Sequence, residues 1–262
     1  MDIKSVISEI VRVENVTKVY QDNGVPVNAL RGIDLTVAQG DFSVIAGPSG
    51  SGKTTLLNIV GTLDKPTQGR ILLDGEDMAL KTRRELADIR LKKIGFVFQA
   101  YNLNPVLSAI ENVEFTMMLR GIDAHERKRR SLALLEQLSI AELAHKRPNE
   151  MSGGQQQRVA VARAISNDPR LVLADEPTAN LDSETAIKLL ELMEKLNREN
   201  KLQKEDNIPV IDLREFGYTK LLGGGTISQA VRVKVGACSK SAVRKLKEAG
   251  GDAQTDKKPS ET

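Results

Sequence analysis

The sequence predicts an α/β fold, and three features lead to that prediction. A glycine-rich octapeptide, residues 47–54, lies between an apolar run and a helical pattern. A short hydrophobic run, residues 171–176, ends in two acidic residues, and residues 108–146 carry apolar residues at helical spacing. Strand-length apolar runs that alternate with helical periodicity are typical of α/β domains.

Composition and charge limit the function classes. The chain has 262 residues, enough for one large domain or two small ones, and a net charge of +3. We expect no membrane span and no signal peptide, because apolar runs are short and the N-terminal pattern is absent. Cys238 is the only cysteine, which excludes an internal disulfide and a cysteine metal cluster. Residues 201–262 hold 12 Lys and Arg against 8 Asp and Glu, so a basic tail follows a nearly neutral body.

The first predicted elements are strands. Residues 12–20 alternate well enough for a strand, residues 33–37 form a second, and Arg70–Gly75 ends a third at a turn. We therefore expect a β-rich lobe around the octapeptide.

The octapeptide fits the pattern G-x-x-x-x-G-K-[ST] in the context that this motif requires. Phe42–Ala46 before it is predicted to be a buried strand, and Thr55–Val60 after it a helix. In such a loop backbone N–H groups wrap phosphates, Lys53 reaches the β- and γ-phosphates, and the Thr54 hydroxyl can ligate Mg²⁺. The motif therefore predicts a nucleoside triphosphate site. Its predicted residues are Gly47, Pro48, Ser49, Gly50, Ser51, Gly52, Lys53, Thr54 and Thr55.

A helical insertion is predicted over about residues 100–160. Ile110, Val113 and Met117 share one helical face, and leucines recur at residues 132, 135 and 138. After a strand at residues 171–176, residues 183–200 return to helical spacing.

Asp175 and Glu176 end the second apolar strand. Alone, an Asp-Glu pair is more often a solvated turn than a site. With a phosphate loop upstream, Asp175 can hold the metal shell, while Glu176 can orient and deprotonate an attacking water. The pair therefore predicts phosphoryl transfer to water.

Three further motifs complete the pattern: Phe96–Gln99 ends in glutamine, Ser152–Gln156 follows Met151, and Ala179–Asp182 follows the acidic strand. With them, residues 10–200 resemble the nucleotide-binding subunit of ATP-binding-cassette (ABC) transporters. The motifs match that family's Q-loop, signature and D-loop, with methionine where the signature usually has leucine. The segments most similar to its lipoprotein-release and macrolide-export group are Leu63–Gly69, Asn102–Pro105 and Pro177–Ser183.

The resemblance implies ATP and Mg²⁺ as ligands and assigns roles. Glu176, Gln99 and Lys53 are implied in catalysis, and Thr54, Gln99 and Asp175 at the metal. The alternative for Gln99 is that of an ordinary surface glutamine. Tyr20 matches the aromatic residue that stacks on adenine, although a tyrosine at a strand end is usually a packing residue.

The resemblance also implies partners. In ABC proteins the signature closes on the γ-phosphate held by a second subunit, so a head-to-tail dimer with two ATP is expected. The alternative for Ser152 is a helix N-cap alone. A membrane permease is the other implied partner, which places the chain at the cytoplasmic face of the cell membrane. The signature residues are Ser152, Gly153, Gly154 and Gln155, and the D-loop residues are Ala179, Asn180, Leu181 and Asp182.

The sequence departs from the family after Asn200. There the family continues into a hydrophobic strand that carries a switch histidine, whereas His125 and His145 lie in the helical insertion. Residues 208–213 are a doubtful replacement, since Pro209 would remove a hydrogen bond inside a sheet. We therefore expect a cassette that is truncated before the switch-histidine strand, with impaired hydrolysis.

The tail resembles another family. Gly217–Gly225, Val231–Val235 and Ser239–Gly251 are similar to the C-terminal part of the large-subunit ribosomal protein numbered fifteen. We predict a small basic β-α unit, with Ser241 capping a helix that stops at Gly250. Its function is either a contact with ribosomal RNA or only that of a solvated appendage.

Two domains follow, residues 1–200 and 201–262, and residues 252–262 are expected to be disordered. The leading function is an ATP-driven motor without its own channel. The alternative is a non-hydrolysing chimera that binds ATP. A chromosome-maintenance ATPase is disfavoured, because the distance in sequence from Gln99 to Ser152 leaves no room for long coiled coils.

Overall fold

The computed structural model describes residues 9–22, 24–201, 203–205, 208–212, 220–221 and 231–255. It divides the chain into two compact units between Glu194 and Lys195. The predicted division lies a few residues further on, at 200 and 201.

The first unit begins with a four-stranded antiparallel sheet, order β2–β1–β3–β4. Alternating apolar residues of β1 and β3 face inward, so that Val11, Val13, Val16, Ile71 and Leu73 are buried. The predicted β-rich lobe is therefore present. Its strands are β1 (Glu9–Asp22), β2 (Val25–Ala38), β3 (Gln68–Leu73) and β4 (Glu76–Asp77).

Two helices pack near this sheet. Helix α1 (Lys53–Val60) follows the octapeptide, as predicted, and buries Leu56, Ile59 and Val60. Helix α2 (Arg83–Lys93) begins with a capping box between Thr82 and Glu85. Lys93 of α2 forms an ion pair with Glu76 at 2.7 Å, which ties the helix to β4.

A second sheet is parallel, carries the predicted acidic strand and has two strands among the described residues. β5 (Ile94–Val97) pairs with β6 (Leu171–Ala174), residue for residue from Ile94–Leu171 to Val97–Ala174. The prediction for Phe42–Ala46 is wrong: this run is neither a strand nor buried. An apolar run becomes a strand only where a neighbour completes its ladder, and no described strand lies against this one.

The helical insertion is present as predicted. The face of Ile110, Val113 and Met117 is buried, and so are Leu135 and Leu138, whereas the leucine at 132 is exposed. The long helices here are α3 (Ala109–Leu119), α4 (Ala124–Gln137) and α5 (Gly153–Ile165), and α6 (Ser183–Lys201) follows β6. Short 3₁₀ turns lie at Met78–Leu80, Ala141–Leu143 and Pro148–Glu150.

The described part of the second unit includes a mixed four-stranded sheet and, after α6, a further helix. The sheet order is β12–β10–β8–β7, with β8 and β12 both parallel to β10. Val233, Val235 and Leu246 form its small core. The elements are β7 (Gln203–Glu205), β8 (Ile208–Asp212), β9 (Lys220–Leu221), β10 (Arg232–Val235), β11 (Ala237–Cys238), α7 (Lys240–Glu248) and β12 (Asp252–Thr255).

Two predictions for the tail are corrected. The cap of α7 is Ser239, whose hydroxyl accepts from the N–H of Ala242 at 3.2 Å, and Ser241 lies inside the helix. Residues 252–255, expected to be disordered, form β12 because β10 offers them a parallel ladder. Residues 256–262 lie outside the described residues. Gly250, at φ +81°, follows the end of the helix, as the sequence predicted.

Candidate active site

The octapeptide forms an exposed loop that leads into α1. Gly50 and Gly52 adopt φ of +77° and +93°, a region that favours glycine. A Cβ on Gly52 would also lie 2.6 Å from the carbonyl oxygen of Ala29. Lys53 Nζ donates to the carbonyl oxygens of Gly47 at 2.9 Å and Pro48 at 3.1 Å. The loop thus presents an ammonium group and the positive end of a helix at one place, which suits an anion.

The acidic strand end meets this loop. The Thr54 hydroxyl donates to Asp175 Oδ1 at 3.0 Å, and Lys53 Nζ lies 3.9 Å from Glu176 Oε1. The N–H of Asp175 donates to the carbonyl of Val97 at 2.9 Å, so the end of β6 is fixed against β5. Residues more than a hundred positions apart in sequence therefore share one site.

The oxygen donors suit Mg²⁺. Thr54 and Asp175 offer a hydroxyl and a carboxylate, and among the described residues no group of three His, Cys, Asp or Glu side chains could hold a metal ion. Mg²⁺ is commonly bound through one or two carboxylates together with substrate phosphates. The donor set fits an ion that arrives with a nucleotide.

Gln99 is exposed and lies two residues after the end of β5. The hydrogen bond that the structure gives it is on its backbone: Asn180 Nδ2 donates to its carbonyl oxygen at 3.0 Å. Within the described residues no hydrogen bond joins the Gln99 side chain to Thr54 or Asp175. The structure therefore brings the predicted Q-loop and D-loop together, but it does not place the Gln99 amide on the other predicted metal ligands.

Tyr20 lies close to the nucleotide loop. Its hydroxyl donates to Asp64 at 2.7 Å and interacts with the Thr55 side chain. Lys18 Nζ lies 4.7 Å from the ring centroid, which covers one face of the ring by a cation–π contact. Burial and the hydrogen bond to Asp64 raise the pKa of Tyr20. The tyrosine is thus a fixed, partly exposed ring rather than a core residue.

The predicted signature begins helix α5. Ser152 accepts a hydrogen bond from the N–H of Gln155, and the Gln155 side chain accepts one from the N–H of Ser152 at 2.9 Å. A Cβ on Gly153 would lie 2.8 Å from the Tyr101 hydroxyl, and one on Gly154 would lie 2.8 Å from a Thr185 methyl. A side chain at either position would therefore have to displace its neighbour, Tyr101 or Thr185. Ser152 is therefore the N-cap of α5. This capping geometry by itself does not assign Ser152 a contact with nucleotide.

The D-loop continues this packing. Asp182 accepts from the N–H of Thr185 at 3.0 Å at the start of α6, and this bond lowers the pKa of Asp182. The N–H groups of Ala179 and Leu181 donate to the carbonyls of Glu176 and Thr178. The loop after the acidic strand is therefore a series of tight turns that ends in a helix cap.

Sequence reasoning missed Arg163. Its guanidinium, on α5, donates to the carbonyl oxygens of Tyr101, at 2.8 Å, and Asn102. Both residues have left-handed backbone, with φ of +59° and +50°, a strained state for residues other than glycine. Burial lowers the pKa of Arg163. An arginine within the small-residue run Val159–Ala164 was the available signal.

Comparisons with known proteins decide the family. The family model described as "ABC transporter" matches residues 30–179. An uncharacterized ABC transporter ATP-binding protein of Thermotoga maritima is 51% identical over 193 residues, which is 74% of this chain and 82% of that protein. The chain belongs to the ABC transporter family.

The subgroup prediction is confirmed too, because macrolide-export and lipoprotein-releasing proteins are both relatives of this ABC chain. The macrolide export ATP-binding/permease protein MacB of Brucella melitensis is 46% identical over 190 residues, 72% of this chain but 29% of MacB. A dimeric cassette solved in a post-hydrolysis state with ADP and Pi superposes with a TM-score of 0.68 at 45% identity, covering 72% of this chain and 84% of that one.

The tail matches a second family model. This model describes large-subunit ribosomal proteins, the bacterial protein numbered fifteen among them, and it covers residues 186–254. The resemblance predicted from sequence is confirmed for this part of the ABC chain as well. This match begins within α6, whereas the match to the ABC family model ends before that helix, at residue 179.

Proposed function

We propose that this chain is the ATP-binding subunit of an ABC transporter, which couples MgATP binding and hydrolysis to a separate membrane permease. One observation carries the proposal. Lys53, Thr54, Asp175 and Glu176 converge at the phosphate loop, with 3.0 Å between Thr54 and Asp175 and 3.9 Å between Lys53 and Glu176. This set supplies the cation, the metal ligands and the base that phosphoryl transfer to water needs.

Each side chain then has a task. Lys53 exchanges its carbonyl partners at Gly47 and Pro48 for the β- and γ-phosphates. Thr54 and Asp175 would hold Mg²⁺, which neutralises charge on the phosphates when bound. Glu176 accepts a proton from the attacking water, and Gln99 orients that water. The exposed face of the Tyr20 ring, opposite Lys18, takes the adenine.

The signature requires a second copy of the cassette. Gly153 and Gly154 begin a helix behind the Ser152 cap, and we propose that Ser152 and the N–H groups of the two glycines contact the γ-phosphate in the partner's site. The dimeric state of the related cassette with ADP and Pi supports this arrangement. The proposed assembly is a head-to-tail homodimer with two ATP.

The permease would bind the helical insertion at the cytoplasmic face of the membrane. Exposed apolar side chains of α3, Phe115, Met118 and Leu119, offer a docking surface. Among the described residues, no helix combines the length and the apolar character that a bilayer crossing requires. Transport would therefore depend on a separate channel-forming chain.

We further propose that hydrolysis is impaired. The sequence offers no histidine after residue 145, so a γ-phosphate contact of the switch type is lost. Loss of one oxyanion-stabilising contact lowers turnover by roughly 10²- to 10³-fold. The related Thermotoga maritima protein is the matched reference for this deficit.

The test is steady-state ATP turnover by the purified chain, with Glu176→Gln as the control and nucleotide affinity measured in parallel. We expect turnover above that of Glu176→Gln and far below that of the Thermotoga maritima protein. If both forms hydrolyse ATP no faster than buffer alone while ATP still binds, the proposal of an ATP-driven motor is rejected. The chain would then be the non-hydrolysing chimera. Turnover equal to that of the reference protein would reject the impairment.

A second candidate function for the tail is an RNA contact. The match to ribosomal proteins and the exposed Lys240, Arg244 and Lys247 of α7 favour it. Affinity for a ribosomal RNA fragment should fall steeply with salt, because phosphate contacts release counterions. It should also disappear when residues 208–262 are deleted. An affinity that does not change with salt concentration, or no binding at all, would reject the RNA contact. The tail would then be a solvated appendage.

A further inference from the structure

The segment Leu63–Gly69 follows α1 and is fixed to the end of that helix. The backbone N–H groups of Leu63 and Asp64 both donate to the carbonyl oxygen of Asn58 in α1, at 2.8 and 3.2 Å. Because α1 begins at the phosphate loop, the position of Asp64 is tied to the position of that loop. The carboxylate of Asp64 then reaches back to the end of β1.

This carboxylate holds two side chains of β1 at once. Asp64 Oδ2 accepts from the Tyr20 hydroxyl at 2.7 Å, and Asp64 Oδ1 accepts from Lys18 Nζ at 2.8 Å. The backbone N–H of Lys65 donates to Oδ1 as well, at 2.7 Å. Both carboxylate oxygens therefore have donors, and the orientation of the carboxylate is fixed.

The same contacts fix the Tyr20 ring from two sides. The hydroxyl of the ring is held by Asp64. One face of the ring is covered by Lys18 Nζ, 4.7 Å from the ring centroid, and Lys18 is itself held by Asp64 and by the carbonyl oxygen of Lys65 at 2.8 Å. Only the opposite face is left for a ligand, and a ring that is already ordered loses less freedom when the ligand binds.

The protonation states suit this arrangement. Although partial burial opposes the effect, hydrogen bonds from Lys18 and Tyr20 lower the pKa of Asp64. Burial and the hydrogen bond to Asp64 raise the pKa of Tyr20. At neutral pH the carboxylate is therefore ionised while the phenol keeps its proton, and the hydrogen bond between them is charge-assisted.

Backbone contacts hold the end of β1 independently of this carboxylate. The N–H of Val19 donates to the Thr67 hydroxyl oxygen at 3.0 Å, and the N–H of Thr67 donates to the carbonyl oxygen of Thr17 at 2.8 Å. These bonds lie on both sides of Lys18 in the chain. Loss of the carboxylate would therefore release the two side chains and leave the strand in place.

We propose that Asp64 is a positioning residue for the nucleotide base: it holds the Tyr20 ring, through the hydroxyl and through Lys18, at a fixed place relative to α1 and the phosphate loop. This inference rests on the proposed stacking of adenine on Tyr20. Asp64 acts through Tyr20 and not by touching the nucleotide. It should therefore contribute to the affinity for ATP and not to the chemical step.

The test compares a ligand that has a base with one that has none. Calorimetry on the full chain with Mg²⁺ measures the affinities for a non-hydrolysable ATP analogue and for inorganic tripolyphosphate. Asp64→Ala should weaken the analogue about threefold to tenfold, because the released ring must be ordered on binding. The affinity for tripolyphosphate should be unchanged or slightly higher, since loss of a negative charge favours a polyanion. Equal weakening of both ligands would show a disturbed phosphate loop and overturn the proposal.

Two further variants sharpen this comparison. Asp88→Ala is the matched control, since Asp88 is an exposed carboxylate of α2 that pairs with Lys92 at 3.7 Å, and it should bind both ligands as the wild type does. Tyr20→Phe keeps the ring and removes the donor to Asp64. It should weaken the analogue about twofold to fivefold in the wild type and by less than about 1.5-fold in Asp64→Ala, because the two residues act through one bond. Fully additive losses would overturn the proposal.

Turnover separates positioning from chemistry. In Asp64→Ala the KM for ATP should rise, while kcat at saturating ATP should stay within about twofold of the wild type. A lower kcat with an unchanged KM would contradict a role in placing the base.

Tyr20→Ala distinguishes failure of this inference from failure of the proposed function. If Tyr20→Ala binds the analogue as the wild type does, stacking on Tyr20 is wrong and the role of Asp64 falls with it. If Tyr20→Ala weakens the analogue and Asp64→Ala does not, only the role of Asp64 is wrong. The affinity measurements need no hydrolysis, so they remain decisive even if the chain does not turn over ATP.

Discussion

The two sheets of the first unit differ in completeness although both are built from apolar residues. In the four-stranded sheet β1 lies between two neighbours, and Leu73 is 1% exposed. In the two-stranded sheet β6 has one neighbour and Phe42–Ala46 has none among the described residues. The phosphate loop and both acids lie at the end of the second sheet. Among the described residues, the sheet next to the proposed catalytic residues therefore has fewer paired strands than the four-stranded sheet.

The largest expected effect is the difference in unfolding free energy between a substitution in the four-stranded sheet and one in Phe42–Ala46. Leu73→Ala should lower the free energy of unfolding by about 2–5 kcal/mol, because it leaves a cavity in a buried core. Val44→Ala, in the open segment, should change it by less than about 0.5 kcal/mol. Urea unfolding measures both. Similar losses for the two variants would mean that Val44 is covered in solution.

The next effect tests how α5 supports the site. Arg163→Ala should lower the free energy of unfolding by about 2 kcal/mol, since it removes two hydrogen bonds from a charged donor, and it should slow ATP turnover through the loop after Gln99. Arg158→Ala is the matched control, because Arg158 lies on the same helix and donates to the carbonyl of Leu138 rather than to residues 101 and 102.

A second substitution distinguishes positioning from simple destabilisation. Asn102→Gly removes the strain of the left-handed residue at φ +50°, so combined with Arg163→Ala it should restore part of the stability and of the turnover. A rescue of stability without any rescue of turnover would show that Arg163 does not position Gln99.

A smaller effect concerns the helix caps near the two sheets. Thr82 caps α2 with a hydrogen bond from the N–H of Glu85 at 3.3 Å, whereas α1 has Gly52 at its N-cap position and no side-chain cap. Thr82→Ala should lower the free energy of unfolding by about 1 kcal/mol and Thr82→Asn should preserve it. Thermal unfolding of both variants checks this. An equal loss in Thr82→Asn would show that packing of the threonine methyl, rather than capping, matters.

The smallest effect is the pH dependence contributed by Glu76. Hydrogen bonds from Lys81 and Lys93 lower the pKa of Glu76 to about 2. A carboxyl group whose pKa is depressed by folding stabilises the protein above its unfolded pKa of about 4.5, and this contribution is lost as the pH falls toward 2. Because Glu76, Lys81 and Lys93 are partly open to solvent, we expect a contribution under about 1 kcal/mol. Unfolding of Glu76→Gln between pH 5 and pH 2 should show a flatter curve, and a curve as steep as that of the wild type would contradict the assignment.

Several elements could be predicted from local sequence. Alternation gave β1, the glycine motif gave the loop before α1, and Ile110, Val113 and Met117 marked the buried face of α3. The pattern Thr82-x-x-Glu85 also carried a capping signal, which would have located α2. Each of these elements depends on residues that are near one another in sequence.

The predictions that failed depend on distant partners. Phe42–Ala46 has the composition of a strand but no described ladder partner, and residues 252–255 look disordered until β10 pairs with them. Arg163 looks like one more surface arginine until it meets the carbonyls of Tyr101 and Asn102. Local composition indicates only the strand propensity of a segment, whereas strand formation also needs a hydrogen-bonding neighbour.

The sequence by itself determined the family of this protein and its phosphate loop, because glycine positions and motif spacing are local chemistry. Only the tertiary structure decided that Thr54 bonds to Asp175 and that Arg163 supports the turn after Gln99. It also decided that, among the described residues, β6 pairs with β5 alone. Those outcomes depend on which backbone groups find partners across the fold, and a strand without a neighbour leaves its N–H and C=O groups to solvent or to another chain.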